Sequence, residues 1–130
     1  MKKLNKKIVF IVEKTYTGFS AYSSDHPIGT TGKSFSELLC NATEAYNLYL
    51  EDTGSEIDEK NIKLEIDLKQ FFQHYRVINA KFLAKRIGMN ESLLSQYVQG
   101  RKKPSPKQTR RILLGIHEIG RELSNLHLIV

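Results

Sequence analysis

Cysteine is almost absent from this 130-residue chain, tryptophan is wholly absent, and proline occurs only three times. The single cysteine, Cys40, excludes an internal disulfide and any CxxC metal site, and the expected address is the reducing cytoplasm. Long apolar runs are missing as well. The longest, Ile8 to Val12, falls far short of the roughly 18–20 residues a membrane span needs. Lys2, Lys3, Lys6 and Lys7 imitate the basic start of a signal peptide, but the apolar stretch is too short for its core and no cleavage-like site follows. Neither secretion nor a membrane partner is expected, so the sequons Asn41-Ala42-Thr43 and Asn90-Glu91-Ser92 carry no sugar. His26, His74, His117 and His127 are scattered without ligand spacing, and no metal or cofactor is expected. What remains is the composition of a folded protein, 40% hydrophobic and 26% charged with a mean hydropathy of -0.38. That excludes a disordered tail or a collagen-like repeat.

Charge is unevenly spread. Through Leu68 there are 8 Lys and Arg against 11 Asp and Glu, a balance of -3; from Lys69 onward there are 12 against 3, a balance of +9. Such a step implies two modules with different partners, and we place them at 1–66 and 67–130. The basic module suits a polyanion, because clustered Lys and Arg release counterions from a nucleic-acid backbone; a merely solvated basic face is the alternative.

The acidic module reads as strands around one helix. Lys7 to Val12 is β-branched and apolar, and Gly18 to Ser23 alternates around Phe19, Ala21 and Tyr22, with Glu13 to Thr17 as the hairpin connection. Asp25 to Gly32 is rich in turn formers and reads as a loop with room for a short third strand. Ser34-Phe35-Ser36-Glu37 is a capping box. Behind it Phe35, Leu38, Leu39, Ala42, Tyr46, Tyr49 and Leu50 form one apolar face, a helix of about five turns, with Gly54 as its stop. After a polar linker, Ile62, Leu64, Ile66 and Leu68 alternate with Lys63, Glu65 and Asp67 as a half-buried strand. The order is β-β-(β)-α-β, an α+β module with a helix covering one sheet face.

No catalytic constellation emerges, and the chain is not expected to be an enzyme. Gly32-Lys33-Ser34 looks like the end of a phosphate-binding loop, but Pro27 stands where that motif requires its first glycine. Cys40 has no basic neighbour in sequence and reads as a passive side chain. Glu51, Asp52, Glu56, Asp58 and Glu59 fall in one hydrophilic linker rather than on separate strands, and solvation is their default role.

The basic module reads as all-α. Asp67 and Gln70 cap a helix carrying Leu68, Phe71, Phe72 and Tyr75. Asn79 caps Ala80 to Ile87, with Phe82, Leu83 and Ile87 apolar, and Gly88 ends it; Asn90 caps Glu91 to Val98, with Leu93, Leu94, Tyr97 and Val98 apolar, and Gly100 ends that. Ser105-Pro106-Lys107-Gln108 opens a long helix expected to bury Ile112, Leu113, Ile116, Ile119 and Leu123. The tail, Leu126 to Val130, adds a short strand or simply packs. Ala84 allows a close helix crossing, Gly88 supplies the turn four residues later, and Met89 plugs it.

From Ala80 to Gly100 this spacing matches a helix-turn-helix. With Gly100-Arg101-Lys102-Lys103-Pro104-Ser105 after it, residues 67–124 resemble the phage-repressor-like (Cro/C1-type) DNA-binding domains. The resemblance implies that the second helix enters the major groove of double-stranded operator DNA. It makes Glu91, Ser92, Ser95 and Gln96 the base readers, and Lys81, Gln99, Arg101, Lys102, Lys103 and Lys107 the phosphate anchors. Glu91 also suits the first turn of a helix.

The hairpin, the Gly/Pro-containing loop and Gly32-Lys33-Ser34-Phe35-Ser36-Glu37-Leu38, followed by a strand and a DNA-binding unit, resemble the HicB antitoxins. In place of the Pro-Asp-Leu-Pro-Gly-like stretch usual there, the loop reads Ser24-Asp25-His26-Pro27-Ile28-Gly29. The resemblance implies a partial RNase H fold without nuclease activity in the first module, neutralising a small basic RNase toxin of the HicA type. It implies autorepression by the second module, acting as a homodimer or larger assembly. Two other readings stay open: a regulator whose first module binds a ligand or only dimerises, and an RNase H-like nuclease using Asp25, Glu65 or Asp67.

Overall fold

The computed structural model describes residues 2–130 and is mixed α+β, with six strands and five α-helices among the described residues. The chain divides into two compact units, residues 1–70 and 71–130. The division falls inside a helix, four residues beyond the 66/67 boundary placed from the sequence.

In the first unit, β2 (Ile8–Lys14), β3 (Phe19–Ser23), β4 (Gly29–Gly32) and β6 (Ile62–Ile66) form a sheet of order β4-β3-β2-β6. The third strand expected in the Gly/Pro loop is β4. Strands β2, β3 and β4 are antiparallel neighbours, whereas β6 joins β2 in parallel with Phe10 opposite Leu64. A parallel partner needs a crossover, and helix α1 (Phe35–Tyr49) lies within it. Ser34 caps α1, its Oγ accepting the Glu37 N–H at 3.1 Å. Ile8, Phe10 and Val12 of β2 with Phe19 and Ala21 of β3 meet Leu38, Ala42 and Tyr46 of α1 in one buried core. The Phe10 and Tyr46 rings stand edge to face, an arrangement favoured by their quadrupoles.

Several expectations are corrected here. Helix α1 is about four turns rather than five. It stops at Tyr49, and Gly54, at φ 73, closes a separate 3-10 turn over Glu51–Thr53. Tyr49 is 49% exposed, so it is no core residue. Strand β2 runs on through Lys14, and the hairpin closes with Thr15 N–H on Gly18 O. Leu68 is the first residue of α2 (Leu68–His74) rather than the last of a strand.

The polar linker is ordered. It contains β5 (Ser55–Glu56), paired in parallel with β1 (Lys2–Lys3), and buries Ile57 in the core. Asn47 of α1 holds Ile57 by both backbone groups, accepting its N–H at 2.7 Å and donating to its carbonyl at 3.0 Å. Asn61 donates to the carbonyls of Leu4 and Lys6. Asp67 accepts the Gln70 N–H and side-chain amide at the start of α2, and Gln70 Oε1 in turn accepts the Lys14 N–H at 2.6 Å.

In the second unit, α3 (Ala80–Ile87) packs against both α4 (Glu91–Val98) and α5 (Pro106–Asn125). Leu83, Ala84, Met89, Leu94, Tyr97 and Ile112 are buried. Gly115 is buried too, and a Cβ there would lie 2.5 Å from Ile87 Cγ2. The glycine is therefore what lets α3 approach α5 so closely. Leu113 and Leu123, expected inside, are exposed at 47% and 64%, and Phe82 of α3 is exposed at 63%. The tail forms no strand and does not pack: Leu126, Leu128, Ile129 and Val130 are all exposed. A three-helix core of this size buries only one face of each short helix, and these side chains fall outside it.

Candidate nucleic-acid interface

Helix α4 is defined at both ends by local chemistry. At its start, Asn90 Oδ1 accepts the N–H groups of Ser92 and Leu93 at 2.8 and 3.2 Å, satisfying two donors that a helix leaves free. Asn79 and Ser105 cap α3 and α5 in the same way. The turn before α4 and the loop after it repeat one motif. Gly88 N–H returns to Lys85 O and Met89 N–H to Ala84 O; Gly100 N–H returns to Tyr97 O and Arg101 N–H to Gln96 O. These are Schellman closures, which need a left-handed residue, and Gly88 and Gly100 sit at φ 69 and 75.

Leu94 and Tyr97 turn inward from α4. Ser92, Ser95, Gln96 and Gln99 occupy the spacing of a single helical face. Ser92 is exposed, Ser95 and Gln96 are half-buried, and Gln99 donates from Nε2 to Ser95 Oγ at 3.3 Å. The half-buried pair shows less of itself to a ligand than the sequence alone suggested. Glu91 is exposed, and Lys85 Nζ lies 3.7 Å from its carboxylate.

The expected anchors are all exposed. Lys81 is in the first turn of α3, Gln99 caps α4, Arg101, Lys102 and Lys103 follow Gly100, and Lys107 is in the first turn of α5. None of these cations is in an ion pair among the described residues. Bond of Arg101 N–H to Gln96 O ties the basic loop directly to the end of α4. At the start of α5, Pro106 has no N–H and Gln108 N–H is taken by Ser105 Oγ. Two of the first three helical positions thus offer no free amide, and the exposed ammonium of Lys107 adds its charge at this helix start.

Two residues escaped the sequence reading. Arg111 donates from one guanidinium nitrogen to both Ile87 O and Gly88 O, at 2.8 and 3.2 Å, and from the other to Gln108. It fixes the turn that aims α4. Its carbonyl partners stand 24 and 23 residues away, so no local pattern marked it. Arg110, exposed and in no ion pair among the described residues, continues the basic face of α5.

The first unit offers different chemistry. Asp67 is a helix cap, Glu65 lies 3.7 Å from Lys63, and no group of three His, Cys, Asp or Glu gathers as a metal site among the described residues. Asp58 caps a 3-10 turn and faces Lys3 at 3.7 Å, while Glu51, Asp52 and Glu59 are exposed. Cys40 is exposed, and the Glu44 carboxylate beside it, with further acids, pushes its thiol pKa up, which disfavours the reactive thiolate. Among the described residues no helix is long and apolar enough to cross a membrane. No protein-family model, curated protein or solved structure matches this chain.

Proposed function

We propose that the chain is a DNA-binding regulator of the helix-turn-helix type and an antitoxin of the HicB kind, repressing its own operon and covering a small basic RNase. The observation that carries the DNA half is one capped helix presenting Ser92, Ser95, Gln96 and Gln99 on a single face, with unpaired cations at its end and on both neighbouring helices. Gln can bridge adenine N6 and N7, and Ser adapts to either strand. Glu91 can accept from cytosine N4, and Lys85, 3.7 Å away, offsets part of its repulsion from the phosphates. Two copies read two half-sites about one DNA turn apart.

The antitoxin half is supported by the sheet. An antiparallel trio extended by a parallel strand after a covering helix suits the partial RNase H fold that the resemblance implies. The exposed acids beside it suit a basic partner and speed encounter.

Two measurements test this reading. Duplexes selected from a random pool are titrated by fluorescence anisotropy against wild type and Ser92→Ala/Gln96→Ala. The expected result is loss of about 1–3 kcal/mol of discrimination per contacted base with nonspecific affinity kept. A change in salt slope alone overturns the reader assignment. Co-expression with the adjacent small reading frame tests the antitoxin: growth rescue with co-elution supports it, and a harmless neighbour that does not co-elute removes it, leaving the regulator.

A further inference from the structure

The larger sheet has two outer strands, and they are finished differently. At β4, Asn41 of α1 donates to Thr31 O at 2.7 Å, so a helix side chain attends that edge. At β6 the only strand neighbour is β2. Outside that ladder, no hydrogen bond among the described residues reaches the backbone of Lys63, Leu64 or Glu65. An outer strand of this kind presents N–H and C=O groups ready for another strand. Its side chains divide cleanly. Ile62, Leu64 and Ile66 pack on the core, the last two only half-buried, while Lys63 and Glu65 are exposed on the other face.

The two charges select the partner. An edge with charges of one sign repels every copy of itself and blunts pairing. Here opposite signs stand on either side of Leu64, in the strand Ile-Lys-Leu-Glu-Ile. Residues directly opposite in an antiparallel pair share a face, where opposite charges stabilise and like charges destabilise. With a two-fold axis through Leu64, all of β6 is paired: Ile62 with Ile66, Lys63 with Glu65, and Leu64 with its own copy. An axis through Lys63 sets lysine against lysine, and one through Glu65 sets glutamate against glutamate. An axis between residues sets a charge against an apolar side chain. Lys63 and Glu65 already lie 3.7 Å apart along their own strand. Both are open to water, where such a pair is held weakly, so each is free to take the cross-strand partner as well.

We infer that β6 receives a second copy of this chain, the two β6 strands pairing antiparallel about Leu64 and joining the two sheets into one. The half-buried Leu64 and Ile66 of both copies then meet on the side that carries α1. This deepens the DNA-binding reading by naming a surface for the second copy it asks for, and its geometry stands on the first unit alone.

Charge exchange in the full chain tests it. Sedimentation equilibrium of the wild type, without DNA, is expected to give a reversible dimer. Lys63→Glu sets glutamate against glutamate and Glu65→Lys sets lysine against lysine, and each is expected to weaken the dimer about tenfold or more. Circular dichroism should not change, because both side chains are exposed. Mixing the two variants, one of them tagged, restores every opposite-charge pair and is expected to give a mixed dimer of about wild-type affinity. The homodimer of Lys63→Glu/Glu65→Lys, which keeps the wild-type composition and net charge, should do the same. A wild-type chain monomeric up to about 1 mM overturns the inference. So does a dimer that neither single variant weakens, or a mixture that stays as weak as either variant alone. A chain that dimerises through β6 and binds no duplex refutes only the regulator, and a monomer that binds its duplex refutes only the pairing.

Discussion

Arg111 shows how a surface cation becomes structural. Its guanidinium reaches two carbonyls of the glycine turn from one nitrogen and Gln108 from the other, and a planar fork holds acceptors on two sides at once where a single ammonium does not. Arg111→Met keeps the aliphatic stem and removes the donors. It is expected to destabilise the helical unit by about 1–3 kcal/mol, measured as a lowered thermal midpoint; an unchanged midpoint would mean that water replaces the guanidinium at no cost. Nothing in the sequence distinguished Arg111 from Lys107 or Arg110, because its partners stand 23 and 24 residues away. The caps were legible for the opposite reason. Ser34, Asn79, Asn90 and Ser105 each bond to an amide two or three residues on.

At the scale of elements, the two glycines of α5 separate packing from propensity. Gly115 sits against Ile87, whereas a Cβ at Gly120 meets nothing within 4 Å. Gly120→Ala should therefore stabilise by about 0.5–1 kcal/mol, the helix-propensity gain. Gly115→Val should cost about 2 kcal/mol or more, since the added methyls drive α3 from α5. Denaturant melts of both variants check this, and two shifts of the same sign would show that α3 and α5 do not approach as closely as described. Helix positions were legible wherever apolar residues recurred every three or four places, as from Leu38 to Tyr46. Periodicity could not say how much of a face would be covered. Leu123 and Phe82 fit their helical stripes and remain outside because no third layer lies over them. The linker misled in the other direction: its polar letters hid Ile57, whose burial depends on Asn47 ten residues earlier. The parallel pairing of β2 with β6, registered from Ile8 and Ile62, is likewise a long-range fact with no local mark.

For the whole molecule, the step from a balance of -3 to +9 makes salt the informative variable. If the five expected cationic anchors each meet a phosphate, log affinity should fall with log salt at a slope of about -4 to -5 per chain. Lys102→Ala with Lys103→Ala should flatten that slope by about two. Anisotropy titrations at several salt concentrations measure it, and an unaltered slope would remove both residues from the interface. The boundary between the units has a consequence of its own. Lys14, at the end of the long central strand, gives its amide proton to Gln70, and Gln70 is held by Asp67 in the first turn of α2. Unwinding that turn uncovers the strand end, and fraying of the hairpin loosens the turn. The two events therefore favour each other, and a chain severed at 66/67 would leave the Lys14 amide without its acceptor and the end of the sheet frayed.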